Sequence, residues 1–327
     1  MTTLLVASTR PGVGKTAFAA AFAAHLLDSG RRVALAKAPD DAQDTSAESH
    51  LFRTLVPRAV ATTEPMTGSD FNAIARTLAG LARDADVTIV EGWNDDAANR
   101  RLADALDARI LWIAELRDFQ DDIVSALRPF GDRLAGVIVN NLPHYREYFF
   151  QTEALPKLAE AGIPCLGAIP EDRRMLATTF KAVYEHLGGN LVQKEGDQDR
   201  LADHILIGAN VLDWGVHYFS TRENAVVLVR GDRPDIQMAA LATPIKGMIL
   251  TRGIEPLEYV FYEARRLGIP ISVVAADTHD AAAALESLQE QKARFDHPDK
   301  VARFTELARQ RLDLETLEQA LREPVTR

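Results

Sequence analysis

The stretch Ser8-Thr9-Arg10-Pro11-Gly12-Val13-Gly14-Lys15-Thr16 constrains this chain more than any other. It follows an apolar run at 4–8 and opens an alanine-rich segment at 15–29. That segment reads as a helix, with Gly30 where a C-cap belongs. Strand, glycine turn and helix together form the context in which such a loop cradles a phosphate. Successive backbone N–H groups and the helix N-terminus converge on an anion there. Gly12 and Gly14 let the backbone approach without a Cβ in the way. Lys15 is expected to reach the β/γ-phosphates, and the Thr16 hydroxyl to ligate Mg²⁺. Contacts to a nucleotide are expected from Arg10, Gly12, Val13, Gly14, Lys15, Thr16 and Ala17. The strict pattern Gly-x-x-x-x-Gly-Lys-Ser/Thr is not met, because its first glycine falls on Thr9.

Further apolar runs at 33–37, 87–91, 109–114, 134–140 and 164–169 alternate with helical patterns, one of them at 69–83 through Phe71, Ile74, Leu78 and Leu81. Runs this apolar suit parallel strands covered on both faces. The alternation predicts an α/β fold: a doubly wound, mainly parallel sheet with right-handed crossovers. Gly188-Gly189-Asn190, followed by Lys194-Glu195-Gly196-Asp197, is a turn-rich boundary. Beyond it, strand-like runs at 226–229, 248–250 and 271–274 are followed by helical segments at 236–241, 258–267 and 279–288. That rhythm predicts a second, smaller α/β domain. Two charged helices are expected at 299–312 and 314–321. The expected organisation is a phosphate-loop domain at 1–187, a smaller α/β domain at 188–292 and a helical extension at 293–327.

The metal-side partner of Thr16 should be a carboxylate at the end of another parallel strand. Glu91 meets that need: it closes Val87-Thr88-Ile89-Val90 and precedes Gly92. Lys37 ends the strand at 33–37. Ligands of open α/β sheets sit outside the carboxyl ends of the strands, so Lys37 should face the same rim. It could clamp a γ-phosphate or an acidic co-substrate, or be an ordinary strand-end lysine. Lys15, Lys37 and Glu91 are the expected catalytic set. Asp44 and Glu48 lie in the next polar loop, where either could add a metal-side carboxylate or be a plain loop acid; Asp44 is the candidate metal ligand alongside Thr16 and Glu91. Asn140 and Asn141 end the run at 134–140. The Asn140 amide could read the edge of a purine base, or the pair could simply make the turn. Cys165, in an apolar run, reads as a core thiol.

With 37 Lys+Arg against 47 Asp+Glu the net charge is −10, a poor balance for binding nucleic acid or a membrane surface. One cysteine excludes an internal disulfide and any four-cysteine zinc site. With no recognisable signal peptide, the expected setting is cytoplasmic. The longest apolar stretch, 16–27, is too short to span a bilayer and carries His25.

Gly-Val-Gly-Lys-Thr, Ala-Leu-Ala-Lys37-Ala-Pro39, Val-Glu91-Gly92, Gly-Val-Ile-Val-Asn140 and Leu166-Gly-Ala-Ile-Pro-Glu-Asp172 together resemble the dethiobiotin synthetase-like P-loop superfamily. The second half resembles the DRTGG domain. Its carrying residues are Arg230-Gly-Asp-Arg-Pro-Asp-Ile-Gln237, Met248-Ile-Leu-Thr-Arg-Gly253 with Pro256, Gly268-Ile-Pro270 and Asp277-Thr278. Thr251-Arg252-Gly253 stands where that family usually has Thr-Gly-Gly. The pair is similar to the N-terminal regulatory region of long bacterial phosphotransacetylases, whose catalytic domain is not expected in a chain of this length.

The resemblance implies an ATP·Mg²⁺ site built on Lys15, Thr16, Lys37 and Glu91. It also implies a regulatory or scaffolding role compatible with slow ATP hydrolysis, a DRTGG-type homodimer and a regulatory protein partner. The alternative it implies is an ATP-dependent ligase acting on a carboxylate or carbamate. Against a diamine substrate, Arg10-Pro11-Gly12 replaces the acidic residue of that family's phosphate loop. Trp93-Asn94-Asp95-Asp96 likewise replaces its glycine-rich turn. In the second half, Arg230, Arg233 and Arg252 fall at strand-end turns, where they could share a phosphate-binding rim or stand solvated.

Overall fold

The computed structural model describes residues 2–38, 51–62, 71–120, 122–208, 212–290 and 295–323. The chain divides into two units, 1–172 with 295–327, and 173–294. The expected boundary after residue 187 lies inside the second unit, and the expected C-terminal extension belongs to the first.

The first unit is built on seven parallel strands: β1 (Thr2–Ala7), β2 (Val33–Lys37), β3 (Ala61–Thr62), β4 (Val87–Glu91), β5 (Arg109–Ala114), β6 (Leu134–Leu142) and β7 (Cys165–Pro170). Their order across the sheet is β3-β2-β4-β1-β5-β6-β7. The sequence runs were apolar because both faces are covered. Leu5, Ala7, Val90, Ile110 and Trp112 pack on one face with Ile74 and Leu78 of α2 (Phe71–Leu81) and Leu102 of α3 (Asp96–Leu106). The helix that starts at the phosphate loop, α1 (Lys15–Asp28), packs on β1, β2 and β4.

The second unit holds β8 (Thr178–Thr179), β9 (Asn190–Gln193), β10 (Leu201–Ala202), β11 (His204–Gly208), β12 (Ala225–Arg230), β13 (Gly247–Thr251) and β14 (Ile271–Val273). Five of these form a sheet in the order β11-β12-β13-β14-β9, parallel except for β9. β8 and β10 make a separate antiparallel pair. On one face of the larger sheet lie α5 (Leu212–Phe219), α6 (Pro234–Leu241) and α7 (Glu258–Leu267); on the other lie α4 (Phe180–His186) and α8 (Thr278–Glu290). Phe180, Val183 and Tyr184 of α4 join Val226, Leu228 and Ile249 in that core, which is why the unit begins well before residue 188.

The last two helices, α9 (Pro298–Arg311) and α10 (Leu314–Arg322), return to the first unit. Helix α9 lies along α1. The Thr305 hydroxyl sits 3.5 Å from the Ala21 carbonyl, Arg309 pairs with Asp28 at 2.7 Å, and His25 meets Glu318 at 3.2 Å. The segment between the helices bridges to β7, with Asp313 N donating to Leu166 O at 2.8 Å. A Cβ on Gly167 would collide with the Arg311 carbonyl, and Gly167 has φ +124°, so only glycine fits there.

Candidate phosphate-binding site

Strand register explains why residues distant in sequence meet at one rim. Lys37 pairs in register with Glu91 on the adjacent strand, and Val6 pairs with Glu91 on the other side. Equal register puts the Lys37 and Glu91 side chains on the same face of the sheet. Lys37 Nζ lies 3.9 Å from Glu91 Oε1. The Thr16 hydroxyl donates to Glu91 Oε2 at 2.8 Å. Glu91 is only 5% exposed, so its charge is held among these partners rather than in bulk water.

Gly14 caps α1 at φ +102°, with no side-chain hydrogen bond capping the helix N-terminus. The early N–H groups of any helix lack intrahelical acceptors, so this end suits an anion. Lys15 is buried, its ammonium bonded to Ser8 Oγ at 3.0 Å and Asn94 Oδ1 at 2.5 Å. Asn140 donates through Nδ2 to the Val13 carbonyl at 2.8 Å and lies against Gly14, where any Cβ would overlap its amide. In this arrangement Asn140 braces the loop backbone. Arg10 turns its guanidinium to Asp118 at 2.9 Å, while its carbonyl accepts from Ser8 Oγ at 2.9 Å. Val13 and Ala17 are buried, and Gly12 is exposed at φ +69°. Asp44 and Glu48 lie outside the described residues.

Several contributors escape sequence reasoning. Asn99, fully buried, accepts from Trp93 N and donates to Trp93 O, both at 2.9 Å. This pair of bonds fixes the chain just after Gly92. Asp95 then caps α3 by accepting from Ala98 N at 2.6 Å. Asp118 accepts from Glu115 N at 2.8 Å and so ties the turn after β5 to Arg10. Such side-chain bonds to backbone have no periodic signature. Next to Asp95, burial pushes the Asp96 carboxyl above its ordinary range, with the Asp95 charge adding to the effect.

The donor set is made of hard oxygens, one hydroxyl and one carboxylate, beside two ammonium groups. Among the described residues no group of three or more His, Cys, Asp or Glu could hold a metal ion by itself. Any metal here would complete its shell with phosphate oxygens and water, the usual habit of Mg²⁺.

Residues 4–181 match the CobQ/CobB/MinD/ParA nucleotide binding domain. The chain belongs to this family. Residues 182–288 match the DRTGG domain, so the family's nucleotide-binding fold is joined here to a second recognised module. This member is 26% identical over 352 residues to a phosphate acetyltransferase of Haemophilus influenzae, covering 87% of this chain and 48% of that protein. It is 24% identical over 367 residues to the phosphate acetyltransferase of Deinococcus radiodurans, covering 99% of this chain and 52% of the other. The chain thus spans about half the length of these relatives. It is also 28% identical over 234 residues to the ATP-dependent dethiobiotin synthetase BioD of Streptomyces coelicolor, covering 62% of this chain and 98% of that enzyme. The protein is therefore a P-loop nucleotide-binding domain with a DRTGG domain, related to the N-terminal region of phosphate acetyltransferases. Among the described residues no helix is long and apolar enough to cross a membrane.

Proposed function

We propose that this protein binds ATP with Mg²⁺ at the rim formed by the phosphate loop, Lys37 and Glu91, and acts as a nucleotide-responsive regulatory module. The observation that carries the reading is the meeting of Lys15, Thr16, Lys37 and Glu91 at one strand-end rim, with Thr16 bonded to Glu91 at 2.8 Å. Thr16 and Glu91 would hold the Mg²⁺, which would offset the negative charge of the bound phosphates. Backbone N–H groups from Gly12 to Ala17 would cradle the phosphates, and Lys15 and Lys37 would neutralise the terminal one. The same two cations would favour slow hydrolysis by stabilising charge on the transferring phosphoryl group.

The DRTGG domain is read as the dimerising part. Its support is a run of exposed apolar side chains on and before α7: Leu257 is 54% exposed, Tyr259 51% and Tyr262 71%. Large exposed apolar side chains of this kind are what association sites use. A regulatory protein partner and a cytoplasmic setting complete the reading.

The test is thermal unfolding with and without ATP·Mg²⁺. The parent should shift upward with nucleotide by mass action, and Lys15→Ala should lose that shift. Equal shifts in both proteins overturn the site assignment. Native mass spectrometry of the freshly purified protein would report co-purifying nucleotide and oligomeric state together.

A further inference from the structure

One of the acceptors that hold the phosphate-loop lysine is the side chain of Asn94, three residues beyond Glu91. An ammonium group has only donors, so the amide must turn its oxygen toward Lys15. The bond is short, 2.5 Å from Nζ to Oδ1. Asn94 is itself exposed, yet its backbone is fixed on both sides. Before it, Trp93 is held at N and O by Asn99, and its ring lies 6.5 Å from that of Phe71. After it, Asp95 is committed to capping α3. An amide held at both flanks can turn about its own side-chain bonds at small entropic cost, the condition for a preorganised contact.

We infer that Asn94 distinguishes nucleoside triphosphate from diphosphate by exchanging its bond to Lys15 for a bond to the γ-phosphate. The inference rests on the nucleotide reading of the site and assigns Asn94 a specificity-determining role within it. A phosphate oxygen carries charge and is a stronger acceptor for an ammonium than a neutral amide oxygen. A γ-phosphate arriving beside Lys15 therefore takes over the lysine. The freed amide carries an N–H₂ group on the same carbon, and turning it over presents a donor to the new anion. A diphosphate ends one phosphate short: Lys15, which has three N–H donors, meets its β-phosphate with another of them and keeps its bond to Asn94. The turn between β4 and α3 thus has two side-chain states, selected by the terminal phosphate alone.

The test compares binding of a non-hydrolysable ATP analogue and of ADP, each with Mg²⁺, by calorimetry on the full chain. Asn94→Ala should lose about tenfold of the parent's preference for the triphosphate, the usual scale of one hydrogen bond to a charged group. Asn94→Asp should lose more, because its carboxylate keeps Lys15 and repels the γ-phosphate. Unfolding without nucleotide checks that both variants are folded. A preference unchanged in both, or an equal loss for both nucleotides, overturns the inference while the nucleotide site stands. A parent that binds neither nucleotide overturns the nucleotide reading, and this inference with it.

Discussion

Thr16 and Glu91 are joined by a 2.8 Å hydrogen bond, although they lie 75 residues apart in the chain. The bond exists because β4 lies beside β1, whose following loop delivers Thr16 to the start of α1. Each group has lone pairs to spare for a cation. Replacing Glu91 with Gln keeps the shape and removes the charge. We expect Glu91→Gln to weaken ATP binding in Mg²⁺ about tenfold. Its binding should also become insensitive to EDTA, whereas the parent's falls on chelation. Calorimetry with and without chelator checks both.

Asn99 makes the second test, of structure rather than of ligand contact. Its amide satisfies both backbone groups of Trp93 from a fully buried position. Asn99→Ala removes both of these bonds from a confined space. The expected cost is about 2–4 kcal/mol, read from the midpoint of urea unfolding. Nucleotide affinity should fall too, because the turn that carries Asn94 loses its anchor.

Burial at Asp96 makes a pH prediction. Its pKa is raised in the folded protein, with burial the larger cause and Asp95 the lesser. The ionised form is therefore disfavoured by folding. The penalty is absent below the unfolded-state pKa and grows as pH rises through the folded-state value. Asp96→Asn should be more stable than the parent at pH 7, by about 0.5 kcal/mol given the partial exposure. The gain should vanish as pH falls toward 4. Melting curves across that range decide it; a gain that increases on acidification contradicts the assignment.

Gly167 tests the C-terminal return. At φ +124°, with the Arg311 carbonyl against it, alanine has neither the backbone freedom nor the room. Gly167→Ala should release the segment before α10 from β7 and cost about 1–3 kcal/mol. Limited proteolysis should then cut near residue 312 sooner than in the parent.

How much of this was legible beforehand depends on the kind of signal. Val33–Lys37, Val87–Glu91 and Arg109–Ala114 read directly, because strands covered on both faces are apolar throughout and a polar residue marks where they emerge. Lys37 and Glu91 were legible for the same reason. Asn190–Gln193 was not: it is an edge strand, covered incompletely, with only Leu191 and Val192 apolar. Helix α3 begins Asp-Ala-Ala-Asn-Arg-Arg and buries few side chains, so its pattern is faint. Asn94, Asn99 and Asp118 act through side-chain bonds made by the fold, which spacing does not encode. The homing of α9 onto α1 was likewise hidden, since charged helices advertise their wet face and not their dock.

That homing means the DRTGG-bearing unit is spliced into its host rather than appended to it. No single cut in the gene yields the nucleotide-binding unit whole: a fragment ending at residue 172 would bare the flank of α1 that α9 shields. To prepare that unit by itself, residue 172 would have to be stitched to residue 295, with the intervening module excised as a cassette.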